Sequence, residues 1–210
     1  RICTFYDEIY HALYKGHDLV NKNGYAREKK SKLDFEDFRR LLRSLCYFMS
    51  VSRTTSFNNY ITAIEHIEKA SKLANITPSS SGNFLDDLMV AVPLMVKDGL
   101  EIKFSHKTIL EYFTAEYLVA HKSSIEKVEQ IFGSKYCKSF DKVFEFLFDL
   151  SPNLYHSVIT NYWANIVCEI DSEKEFNELI FITLSKIKNC KIGLWEADKH
   201  CHDKEQQHFR

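Results

Sequence analysis

The chain has 210 residues, of which 45% are hydrophobic, 14% aromatic and 27% charged, an ordinary globular balance with material for one large domain or two small ones. A formal net charge of −1 excludes a global electrostatic pull toward nucleic acid or an anionic membrane, and no apolar run is long enough to span a bilayer. Only 6 glycines and 3 prolines leave little for a protein of many short strands and turns, so helices are expected to dominate.

The chain opens at Arg1 inside an amphipathic pattern and is read as a piece of a longer protein. Ile2, Phe5, Ile9 and Leu13, with Tyr6, Tyr10 and Tyr14, predict an apolar helical face. Gly16 and the segment from Asn21 to Gly24 end that helix and open a basic loop through Arg27, Lys29, Lys30 and Lys32. Tyr25 is the one aromatic beside those charges, so a solvated connector is favoured over a nucleic-acid patch. Asp34 is a candidate N-cap, with Glu36 and Asp37 suited to the first turn of a helix whose stripe is Phe35, Phe38, Leu41, Leu42, Leu45, Cys46 and Met49.

After a polar break at residues 52–56, Phe57, Tyr60, Ile61, Ile64, Ile67, Ala70, Leu73 and Ala74 predict a further helix, and Phe84, Leu85, Leu88 and Met89 a short one. Asp98-Gly99 lies between the apolar run Ala91–Val96 and the alternating Leu100–Phe104, which predicts a β-hairpin turning there. Pro93 confines the first of its strands to an edge. Helical patterns then run through Ile109 to Ala120, Ile125 to Phe132, Phe140 to Leu150, Leu154 to Val167 and Phe176 to Ile187, before a polar tail from Asp198 to Arg210. By composition alone Val143–Phe148 also suits a buried strand, but its helical flanks favour helix.

The six cysteines, Cys3, Cys46, Cys137, Cys168, Cys190 and Cys201, are scattered and form no C-x-x-C pair. Reduced, buried thiols and a cytoplasmic location are expected, with disulfides or zinc the lesser alternative. His200-Cys201-His202 has no second ligand cluster at zinc spacing, and no metal site is expected. No G-x-x-x-x-G-K-[ST] phosphate loop, G-x-S-x-G or H-E-x-x-H occurs, and Asp86-Asp87 lies in a helical pattern without a preceding hydrophobic strand. The pair is read as a solvated helix face. No catalytic residue is assigned, and no enzymatic activity is expected of this chain.

One stretch speaks about function. Phe104-Ser105-His106 leads into Glu111-Tyr112-Phe113-Thr114-Ala115-Glu116-Tyr117-Leu118 as F-x-H-x-x-x-x-E-Y-F-x-A-x-Y-L. Ser105 is the expected N-cap and His106 the first helical position, one turn ahead of Ile109 and Leu110 on their face. By spacing alone, His106 is a semi-buried histidine packed beside Phe104 and Ile109. Glu111 is expected opposite Ile109 in a local salt bridge, Phe113 and Tyr117 in the core, Tyr112 at its edge, and Lys107 on another face.

The pattern also resembles the end of the winged-helix domain in STAND-class NTPases of the NACHT (NLR-like) family. The likeness extends over residues 5–150 and is strongest at 94–118. It takes in the tyrosine-rich Phe5–Tyr10, the loop with Tyr25-Ala26-Arg27, the hairpin Leu94–Phe104 as the wing, and Lys142–Leu147 as the first helix of the region after the winged-helix domain. Leu110 stands where that family often has Gln, and Thr114 where Ala is common.

The resemblance implies a mainly α chain with a winged-helix domain and one β-hairpin flanked by helical segments. Residues 1–33 would be a helical connector after a missing NTPase core, 34–121 the winged-helix domain and 122–210 a helical domain with a polar tail. His106 would contact the β-phosphate of ADP in the resting state, since a helix N-terminus offers free N–H groups and partial positive charge. ADP or ATP with Mg would be bound by the full-length parent, itself an ATPase, and none by this chain alone.

Partners so implied are the NTPase core of the same polypeptide and further copies in an oligomer formed on activation, with no membrane. The setting implied is bacterial anti-phage defence or innate-immunity-like signalling. The alternative is a free-standing winged-helix scaffold that binds proteins and has no nucleotide role. Direct DNA binding is not expected, because residues 81–90 carry Asp86 and Asp87 and no Lys or Arg.

Overall fold

The computed structural model describes residues 2–15, 29–121, 123–134 and 137–158. In chain order these form α1 (Ile2–Lys15), α2 (Phe35–Val51), β1 (Ser56–Phe57), α3 (Tyr60–Ala74), α4 (Ser81–Met89), β2 (Met95–Asp98), β3 (Glu101–Phe104), α5 (Lys107–Ala120), α6 (Ser124–Gly133) and α7 (Asp141–Leu150). A 3-10 turn at Cys137–Phe140 leads into α7, and residues 152–158 are again helical. The fold is mainly helical, with one small antiparallel sheet in the order β1-β3-β2.

Local chemistry accounts for the helix starts. The Asp34 carboxylate accepts the Asp37 N–H at 2.8 Å, and Glu36 and Asp37 occupy the first turn of α2. Asn59 and Thr62 form a reciprocal capping box at α3, and the Ser80 hydroxyl accepts the Asn83 N–H at 3.0 Å to start α4. The α2 stripe is buried as its spacing predicts, from Phe38 through Leu41, Leu42, Leu45 and Cys46 to Met49. Val143–Phe148 is helical, within α7.

Three expectations change at the sheet and α3. The polar break after α2 contributes a third strand, so the sheet is more than one hairpin: Ser56 pairs with Lys103 and Phe57 with Ile102. Phe57 therefore leaves the helical pattern assigned to it and is buried against the sheet, while Tyr60, Ile61 and Leu73 of α3 are exposed. Two residues of strand are too short to alternate visibly, which is why periodicity misses them. The hairpin turns at Gly99-Leu100 rather than Asp98-Gly99, since Asp98 already pairs with Glu101. Gly99 has φ +63°, the left-handed value a two-residue hairpin loop with glycine first requires. This register sets buried Met95 against buried Phe104 and lets Lys103 reach Asp98 at 3.1 Å.

Helix α5 packs against α2 on one side and α7 on another. Phe104, Ile109, Leu110 and Phe113 are buried as expected. Burial nearly encircles the helix, taking in Glu111, Tyr112, Thr114, Ala115 and Leu118, whereas Ala120, assigned to its apolar face, is exposed. In α1 the inner line is Cys3, Tyr6 and Tyr10, while Ile2 and Phe5 face outward. The Tyr10 and Tyr14 hydroxyls donate to the carbonyls of Phe35 and Leu33 at 3.0 and 2.7 Å, fastening α1 beside the entry to α2.

Two polar anchors are not legible from pattern. Arg39 of α2 donates through Nε to both Glu116 oxygens of α5, at 2.9 and 3.1 Å, and through a terminal nitrogen to Asp7 of α1 at 2.5 Å. Burial works against the Arg39 charge, but Glu116 and Asp7 outweigh it and hold its pKa above the ordinary value. The second anchor is Asp87. It is buried, not solvated, and its two oxygens accept the backbone N–H groups of Lys30 and Ser31 at 2.9 and 2.8 Å. Asp86 pairs with the Lys30 ammonium at 2.8 Å.

Cys3, Cys46 and Cys137 are buried, in agreement with the expectation for them. Burial, with Asp149 nearby, pushes the Cys3 thiol up to about 11. The predicted basic loop through Arg27, the patterns beyond Val158, the cysteines Cys168, Cys190 and Cys201, and the polar tail lie outside the described residues.

Arg39→Ala would strand Glu116 in a site that leaves its side chain 12% exposed. Urea unfolding should then show a loss of ~3–5 kcal/mol, the cost of removing one partner of a buried pair. Arg39→Lys should recover little, because an ammonium does not reproduce the two-oxygen grip on Glu116. Wild-type stability for both variants would reduce the contact to a surface pair.

Candidate functional site

The motif at the start of α5 is positioned from the sheet. β3 is the central strand, and immediately after it the Ser105 N–H and hydroxyl both donate to the Leu94 carbonyl, at 2.9 and 3.1 Å. That clamp closes the open end of the hairpin and delivers the chain into α5. His106, not Ser105, is the N-cap: its backbone is extended, φ −137° and ψ 135°, and its carbonyl accepts the Ile109 N–H at 3.1 Å. No side chain among the described residues caps the helix. Ser105 is committed to Leu94, so the first turn lacks the hydroxyl expected to satisfy it.

The His106 imidazole is exposed and has no hydrogen bond, ion pair or ring contact among the described residues. It is exposed rather than semi-buried, whereas Phe104 and Ile109 are both buried. Phe104 and Ile109 anchor the backbone on either side, while the imidazole one position before the helix points into solvent. The arrangement offers a ring N–H and an uncapped helix N-terminus at one place, which suits an anionic oxygen.

Glu111 sits behind this turn. It is buried, with its side chain 10% exposed, and Lys107 reaches it at 2.9 Å across one helical turn. The salt bridge agrees with the sequence; the burial does not, because i,i+4 spacing gives the pair without giving the wall of α7 packed over it. Lys107 is therefore the counter-charge of a desolvated carboxylate, not an isolated surface cation. Thr114 is also buried, donating to the Leu110 carbonyl at 2.7 Å and bonded to the Ser50 hydroxyl at 2.8 Å, which ties α5 to the end of α2.

The aromatic residues of the motif serve the core. Tyr112 stacks on Tyr6 with ring centroids 5.2 Å apart and meets Phe146 edge-on, joining α5 to α1 and α7. It is fully buried, deeper than the edge position expected. Burial, with Glu116 beside it, pushes its phenol above the ordinary range. Phe113 meets Tyr10 edge-on. Tyr117 stacks on Tyr47 at 4.2 Å; burial first, then Tyr47, pushes its phenol up to about 12, and its hydroxyl is buried without a hydrogen-bond partner among the described residues.

The structure pairs Lys107 with Glu111 one turn on, next to His106 in sequence, while Asp86 and Asp87 are engaged by residues 30 and 31. No group of three or more His, Cys, Asp or Glu residues able to hold a metal occurs among the described residues. No helix among them is long and apolar enough to cross a membrane. Comparison of the chain with protein-family models, with curated proteins and with solved structures gives no match.

His106→Ala should leave stability within about 0.5 kcal/mol, as for other exposed residues without partners. Lys107→Ala should cost ~1–2 kcal/mol, between the about 0.2–1 of an exposed pair and the about 3–5 of a fully buried one. The reverse order in parallel urea titrations would show that the imidazole carries packing and the lysine does not.

Proposed function

We propose that this chain is the regulatory winged-helix and helical portion of a NACHT-type signalling NTPase, one that closes over ADP in the resting state and serves defence or innate-immunity-like signalling in the cytoplasm. The observation that carries the reading is His106: an exposed, unengaged imidazole at the uncapped start of a helix that is otherwise buried. The imidazole has no hydrogen bond, ion pair or ring contact among the described residues, whereas an arriving phosphate would give its N–H and the helix terminus an acceptor.

The order of elements supports the winged-helix assignment. Helix α2, strand β1, helices α3 and α4, then the β2–β3 hairpin, with β1 against β3, give a small three-stranded wing beside three helices. In such domains the helix before the hairpin is the one that reads DNA. Here that helix is α4, without Lys or Arg and with Asp86 and Asp87 both engaged at residues 30 and 31, which favours an intramolecular role over DNA binding.

Only a single phosphate contact fits the residues present. ADP, ATP and Mg would depend on a phosphate loop in the NTPase core of the same polypeptide, and the activated parent would oligomerise. This chain's own part is to bind one anionic oxygen at His106 and transmit its presence through α5. The rigid packing of α5 between α2 and α7 makes nucleotide occupancy and domain position one linked equilibrium.

On this reading the isolated chain should not bind ADP measurably, because one such contact is worth only ~1.5–3 kcal/mol against the roughly 8 that micromolar affinity needs. Saturable micromolar ADP binding in calorimetry would sink it. In the full-length parent, His106→Ala should release ADP about ten- to a hundredfold faster and raise trigger-independent activity. Lys97→Ala, exposed on the hairpin, is the control. Equal ADP off-rates for folded wild type and His106→Ala would favour the protein-interaction scaffold without a nucleotide role.

A further inference from the structure

Arg39, Arg43 and Tyr47 recur at four-residue spacing and form one line along α2. The first of them grips Glu116 of α5 and the last stacks on Tyr117 at 4.2 Å. Arg43, between them, is half-buried, yet it has no hydrogen bond or ion pair among the described residues. Burial lowers its pKa; Glu116 and Glu36 act against that, and Arg39 and Arg40 act with it. Glu116 already gives both oxygens to Arg39, and Glu36 is exposed. A guanidinium in a partly dry seam is thus left short of an acceptor.

The facing side of the seam has the same shortage. Tyr117 is 5% exposed, and its hydroxyl is buried without a hydrogen-bond partner among the described residues. The Arg43 charge acts on that hydroxyl, so two donors without an acceptor lie near each other. Further donors surround the tyrosine stack. Lys127 of α6 lies over the Tyr47 ring at 5.4 Å and has no ion pair among the described residues. His121 packs on Tyr117 with ring centroids 5.3 Å apart. Its Nδ1 accepts the Ser123 N–H at 3.1 Å, so the neutral ring carries its proton on Nε2. Burial, then Lys127, holds the His121 pKa below its ordinary value, and Glu126, which opposes them, is exposed.

We infer that Arg43 and the Tyr117 hydroxyl, with Lys127 and His121 beside the tyrosine stack, form a binding site for a phosphate dianion. Donors come from α2, α5 and α6, and a tetrahedral oxyanion has oxygens for several directions where a planar carboxylate presents one edge. Two cations without a carboxylate partner also suit a dianion better than a monoanion. The phosphate would supply the acceptor that Arg43 and Tyr117 lack and would clamp α2 to α5 and α6. These residues lie at the end of α5 opposite His106, and nothing in their arrangement depends on the nucleotide reading.

The test is an amide-shift NMR titration of the full 210-residue chain with sodium phosphate, sodium acetate and sodium chloride in turn, at fixed pH and ionic strength. Phosphate should saturate at ~1 mM, as expected of so small a ligand, and bind at least about tenfold tighter than acetate. Shifts should centre on Arg43, Tyr47, Tyr117 and Lys127. Arg43→Met should weaken phosphate binding about tenfold or more and Tyr117→Phe about threefold or more. In phosphate-free buffer both variants should melt no lower than wild type, because each removes a polar group that the protein itself leaves unmatched. Failure of phosphate to saturate, equal binding of acetate, or undiminished phosphate affinity in Arg43→Met would each overturn the inference. So would a lower melting temperature for Arg43→Met without phosphate, which would show that the guanidinium is matched within the fold. A phosphate response lost in His106→Ala and kept in Arg43→Met would overturn it too, by placing the anion at the start of α5.

Discussion

A guanidinium held between a nearly dry carboxylate and a more exposed one sets the geometry of this chain. Arg39 takes Glu116 by both oxygens and Asp7 by one, and with its side chain only 14% exposed it has little water to fall back on. The Arg39–Glu116 contact tolerates small displacements poorly, because sliding α2 against α5 leaves a charge unpaired where solvation is weak. Three helices from separate parts of the chain, α1, α2 and α5, are thereby registered on one side chain. The Tyr10 and Tyr14 hydroxyls on the carbonyls of Phe35 and Leu33 add neutral bonds to the same seam.

That registration matters because α5 combines two demands. Most of its length is buried against α2 and α7, while the residue that caps its start carries an imidazole in open solvent. Ser105 fixes the approach by giving both its donors to Leu94, so the helix starts without a side-chain cap. The consequence is a rigid element with an exposed, hydrogen-bonding end. In the proposed role, whatever oxygen the imidazole meets is coupled through Arg39 and Glu116 to α2 and through Asp7 to α1. Lys107 in the first turn and Glu111 one turn on pair beside this end of the helix.

Much of the helical architecture is legible in the sequence because it rests on local rules. The Asp34 cap and the stripe from Phe38 to Met49 follow from hydrogen-bond chemistry and a 3.6-residue period, and both are found. A hairpin near Gly99 follows from the freedom of glycine to take a positive φ, although the turn sits one residue later than Asp-Gly suggests, because cross-strand pairing of Met95 with Phe104 decided the register. β1 is not legible: its two residues are strand only because Lys103 and Ile102 on β3 are there to pair with them.

Among the described residues the sequence by itself determined most of the helical segments, where most of them begin, and that His106 opens the helix carrying the Glu-Tyr-Phe run, since each of these depends on neighbours within about one turn. Only the tertiary structure decided which charges are buried. The pairing of Glu111 with Lys107 is local, but its burial is not, and Glu116 and Asp87 meet Arg39 and the backbone of residues 30 and 31 only because distant segments close over them. Exposure of the His106 imidazole was decided the same way, by Phe104 and Ile109 turning inward and leaving it outside. Burial of a charge is a property of what packs against it, and that partner lies tens of residues away in the chain.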